Sequence, residues 1–131
     1  MSGATLQVAK SLLQLVASAA SGAALGLIGG FAGSALGRGS ASGWGDLVGG
    51  ILLGALGYLM GAGLGAFLAG KRLGQRTAWW LAILASVMAG ALILVLAEPL
   101  RLNALPTLMQ AVFAIAAPLA AVFAPRFVLR P

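Results

Sequence analysis

Two carboxylates, one phenol and eight lysines or arginines are all the ionisable side chains in these 131 residues, which contain no histidine and no cysteine. Lack of cysteine removes thiolate catalysis, disulfides and iron–sulfur ligation; lack of histidine removes the commonest proton shuttle and metal ligand. The acids, Asp46 and Glu98, lie far apart in sequence. No catalytic residue, metal site or cofactor is therefore expected, and the chain does not read as an enzyme. Glu98, beside Pro99 at the end of an apolar stretch, has the type needed for a proton or cation site at a membrane mouth. The simpler reading is a helix-end acid paired with Arg101. Tyr58 stands among glycines, and its hydroxyl needs an acceptor wherever water is excluded. Gln14 and Gln110 carry amides suited to hydrogen bonds between helices.

The elements that hold these groups announce themselves through small residues. One series runs Ser18, Gly22, Gly26, Gly30, Ser34, flanked by Gly29, Gly33 and Gly37; a second runs Gly57, Gly61, Gly65, preceded by Gly50 and Gly54. Each such glycine would cost a helix in water about 1 kcal/mol relative to alanine. In lipid the backbone hydrogen bonds cannot be traded for water, so the helix persists, and the missing side chains admit a second helix. The expected helix-packing interface is Ser18, Gly22, Gly26, Gly30, Ser34, Gly57, Gly61 and Gly65, a glycine-zipper pattern. Gly61-Ala62-Gly63-Leu64-Gly65 has neither the spacing nor the Lys-Ser/Thr ending of a phosphate loop.

The composition is 61% hydrophobic and 8% charged, with a mean hydropathy of +1.06. Soluble domains carry about a quarter charged residues, so an integral membrane protein is implied. A net charge of +6 in a soluble chain would suggest nucleic acid. Here the cations are scattered between apolar runs without interleaved aromatics, so lipid headgroups and topology are the expected partners, and nucleic acid is not.

Charges, prolines and polar clusters divide the chain into four helices at about 4–37, 47–70, 77–97 and 104–124, one all-α domain over 1–131. Asp46 is the expected N-cap of the second helix and Asn103 of the fourth; Pro106 suits a first turn. Pro118 predicts a bend near Ala114, and Pro125 a stop. Arg38 to Gly43 reads as a turn-rich linker. The first helix begins with an amphipathic stretch in which Gln7, Ser11, Gln14 and Ser18 form a polar stripe that runs into Gly22. That stripe reads as a docking edge for a partner chain. A signal peptide is not expected, because the apolar run after Lys10 is short and interrupted by Gln14.

Four crossings put Lys10, Lys71, Arg72, Arg76, Arg126 and Arg130 on one side, without acids, and Arg38, Arg101, Asp46 and Glu98 on the other. The positive-inside rule then places both termini in the cytoplasm, the arrangement expected of a multi-pass protein of a prokaryotic inner membrane. Lipid headgroup contact is expected at Lys71, Arg72 and Arg76. In size the chain is similar to small four-span multidrug exporters and fluoride channels. It lacks the exporters' glutamate in the first helix and the channels' Asn and Phe-rich pore motifs. The expected role is a non-catalytic accessory subunit of a larger membrane complex, partnered by other membrane subunits or by itself. The alternative is a small homo-oligomeric channel or transporter.

Overall fold

The computed structural model describes residues 3–39, 43–101 and 104–129; the 40–42 part of the linker, the Asn103 cap and Arg130 lie outside the described residues. Four helices follow one another: α1 Gly3–Gly37, α2 Gly45–Arg72, α3 Trp79–Ala97 and α4 Pro106–Val128. All four are long and apolar enough to cross a membrane, which suggests a multi-pass membrane protein. At 1.5 Å per residue, α1 extends about 52 Å, against about 28 Å for α3.

Several helix ends differ from the sequence reading. α2 begins at Gly45 with Trp44 at the N-cap, and no side chain caps it. Asp46 lies in the first turn, where its Oδ1 accepts the Leu47 N–H at 2.8 Å and its charge still opposes the positive helix end. α3 begins at Trp79, two residues after the expected start. α4 starts at Pro106, two residues after the expected start, and it runs through Pro125 and continues to Val128. A proline removes one backbone bond and crowds one carbonyl; the last turn is held by Leu129 N–H donating to the Pro125 carbonyl at 3.0 Å and by the side-chain bonds of Arg126 described below.

α2 and α4 form the middle of the bundle: each touches the other three helices, whereas α1 and α3 do not meet. The α1–α2 seam is the closest. A Cβ added to Gly29 would strike the Leu53 carbonyl, one on Gly33 the Gly49 carbonyl, and one on Gly37 the Gly45 carbonyl. From Gly22 and Gly26, which face Tyr58 and Gly54, the close contact moves to the neighbouring row Gly29, Gly33, Gly37. A strict every-fourth series drifts about 40° per step around a helix of 3.6 residues per turn. A straight neighbour therefore leaves one row for the next.

The interior is built from small and polar side chains. Ala62, Ala66, Ala117 and Val122 are fully buried, and so are Gln14, Ser18 and Ser86. The large apolar side chains face outward, with Leu36, Phe31 and Val95 each more than two-thirds exposed. An apolar surface of that extent suits lipid rather than water.

Candidate functional site

Two polar joints and one strip of small residues carry the chemistry that the sequence possesses. The first joint lies halfway along α2. The Tyr58 hydroxyl donates to the Ala114 carbonyl at 2.6 Å. Pro118 is the residue whose N–H would otherwise have taken that carbonyl, four positions earlier on α4, and proline has none. The proline frees an acceptor and the phenol consumes it. The Tyr58 ring lies 6.0 Å from that of Phe113, and its other side is accommodated by Gly22, where a Cβ would approach the ring to 3.0 Å.

The second joint lies at the end of the bundle formed by the start of α1, the end of α2, the start of α3 and the end of α4. Arg126 Nη1 donates to Ser11 Oγ at 2.9 Å, and Nη2 donates to Gln14 Oε1 at 2.6 Å and to Gln75 Oε1 at 2.8 Å. The guanidinium carbon lies 5.3 Å from the Phe123 ring centroid, within cation–π range. Gln14 Nε2 donates in turn to the Ala66 carbonyl at 2.7 Å. One turn further, Ser18 Oγ donates to the Ala62 carbonyl at 2.7 Å, and on α3 Ser86 Oγ donates to the Leu59 carbonyl at 2.8 Å. Each places a polar group on a backbone carbonyl of α2 where no water is needed. The buried Thr77 Oγ1 has no partner among the described residues.

The later part of the polar stripe of α1 is thus turned inward. Gln14 and Ser18 find their partners on α2 and α4 of the same chain, and Ser11 finds Gln7 and Arg126. For Gln14 and Ser18 the expectation of a partner chain is corrected, because their burial is satisfied within the fold, whereas Gln7 stays exposed. Gln110 is exposed. Glu98 and Arg101 form no ion pair; Arg101 N–H donates to the Glu98 carbonyl at 3.0 Å, with Arg101 at φ 52°. That backbone turn, rather than charge pairing, ends α3.

Among the expected packing residues, Ser18, Gly22, Gly26, Gly57, Gly61 and Gly65 all lie at the α1–α2 seam. A Cβ on Gly57 would strike the Leu25 carbonyl, and one on Gly65 would come 2.7 Å from the Ala17 carbonyl. Gly30 lies looser, since a Cβ there would meet the Gly50 carbonyl at an ordinary 3.6 Å, whereas Ser34 sits against Gly50, whose added Cβ would strike the Ser34 Oγ. Both line an outward groove of about 410 Å³ with Gly26, Gly50 and Gly54, walled by Leu27, Phe31, Leu47 and Ile51. Lys71, Arg72 and Arg76 are exposed at the end of α2 and in the loop after it. Sequence reasoning missed Arg126 and Gln75 as members of the polar joint. The available signal was a cation at the same end as an amide and hydroxyl stripe.

Among the described residues, no three His, Cys, Asp or Glu side chains come together. Comparison with protein-family profiles, with curated proteins and with solved structures gave no match.

Proposed function

We propose that this chain is a non-catalytic accessory subunit of a larger membrane complex, inserted through all four helices and docked through small residues on its first hairpin. The observation that carries the reading is the groove that remains on the outer side of α1 and α2 after their seam is closed. Gly26, Gly30, Ser34, Gly50 and Gly54 form its floor, with apolar walls. In lipid a floor of this kind gains its energy from close backbone approach, so an apolar transmembrane helix of another subunit is its fitting occupant. The seam and this groove together make the glycine zipper two-sided. The inventory of ionisable groups supports a role in contacts rather than in chemistry.

The orientation belongs to the same proposal. Lys10, Lys71, Arg72, Arg76 and Arg126 lie at one end of the bundle, and Asp46, Glu98, Arg38 and Arg101 at the other. The basic end is cytoplasmic by the positive-inside rule, in a prokaryotic inner membrane, with Lys71, Arg72 and Arg76 at headgroup level.

A photo-crosslinking side chain at Phe31 or Ile51, read in intact membranes against one at Val95 on α3, tests the docking. A single recurrent polypeptide captured from the groove positions and not from Val95 is the expected result. Capture of a second copy of the chain would favour the homo-oligomeric channel or transporter. Capture of lipid alone from all three positions would overturn both.

A further inference from the structure

We propose that the basic end of the bundle holds a phosphate-bearing anion, in a cavity lined by Gln7, Gln75, Arg76, Arg126 and Leu129. The cavity has a volume of about 270 Å³ and is open to the outside. Two guanidinium groups line it, and a guanidinium stays charged under all ordinary conditions. Neither has a carboxylate side chain within reach. Both acids of the chain, Asp46 and Glu98, stand at the opposite end, at the start of α2 and just beyond α3.

The partners that Arg126 does have are neutral. Ser11, Gln14 and Gln75 supply oxygen acceptors for three of its N–H groups, which fixes the plane of the fork without cancelling its charge. A guanidinium carries five N–H donors, so two have no partner among the described residues. Arg76 lines the same cavity and is exposed. Like charges sharing one cavity repel unless an anion lies between them, and a rigid planar fork matches the oxygens of a phosphate two at a time. The amides of Gln7 and Gln75 offer further donors at the cavity wall. This inference stands on the cavity and its two arginines and is independent of whether the chain serves a larger complex.

Two sources supply such an anion at a membrane surface: the headgroup of an acidic phospholipid, and free phosphate. Thermal unfolding of the purified full chain in a neutral maltoside detergent separates them. One arm adds sodium phosphate against sodium chloride at matched ionic strength. The other adds phosphatidylglycerol against phosphatidylcholine at equal mole fraction. The expected result is a rise in Tm of roughly 5 °C or more at saturation in at least one arm, with the rise lost in Arg76→Gln and in Arg126→Gln. A response to phosphatidylglycerol alone assigns the site to lipid, and a response to phosphate assigns it to the free ion. Arg126→Gln also loses hydrogen bonds that brace α4, so its own Tm will fall. Arg76→Gln touches only the exposed cation and keeps the test decisive. No rise in either arm, or a rise that Arg76→Gln leaves unchanged, would overturn the proposal.

Discussion

The bond from Tyr58 to the Ala114 carbonyl shows how one residue type creates the need that another meets. Pro118 and Tyr58 can each be read from the sequence as oddities: a proline inside an apolar helix, and a phenol among glycines. Their pairing cannot, because spacing along a helix gives no register between two helices. A double-mutant cycle measures the coupling. Tyr58→Phe alone should destabilise the protein by about 1 kcal/mol, since it strands a carbonyl in an apolar setting. In a Pro118→Ala background the backbone N–H regained at that position reaches the same carbonyl, so Tyr58→Phe should cost clearly less. Equal losses in both backgrounds, measured by unfolding in detergent, would show that the proline and the phenol are unrelated.

The helix pairs obey the same logic at the scale of elements. Backbone carbonyls, unlike flexible side-chain tips, cannot move aside for a new methyl group. Gly33→Ala and Gly49→Ala, which press on each other's carbonyls across the seam, should each lower stability by roughly 1–3 kcal/mol through overpacking. Gly30→Ala, on the looser row beside them, should be close to neutral. A Gly33→Ala variant as stable as the parent would mean that α1 and α2 lie farther apart than described. The glycine series were legible in the sequence, and so were four helices with Pro106 in the first turn of the last. Which of two adjacent rows meets the neighbour was not, because it depends on the crossing of the helices. The end of α4 was misread for a related reason. Pro125 signals a stop locally, whereas Arg126 is tied to α1 and to Gln75 by contacts distant in sequence. The inward turn of Gln14 was equally hidden: an amphipathic stripe announces that a polar surface is needed, but not whether it lies in the same chain.

For the whole molecule, charge and shape coincide, with cations crowding one end and both acids at the other. Because the chain lacks cysteine, single cysteines at the exposed Trp44 and Lys71 positions report the orientation directly. An impermeant thiol reagent added to intact cells should label Trp44→Cys and leave Lys71→Cys untouched until the membrane is opened; the reverse pattern would invert the proposed topology. The central place of α4 has a consequence in time. Ribosomes deliver the chain from its N-terminus, so α1 and α2 meet while α4 is still unmade. Until it arrives, the hydroxyl of Tyr58 lacks the acceptor that Pro118 frees, and Gln14 lacks the donor supplied by Arg126. A half-synthesised molecule therefore carries polar groups that the finished one pairs within itself, and completion of the last helix is the event that supplies their partners.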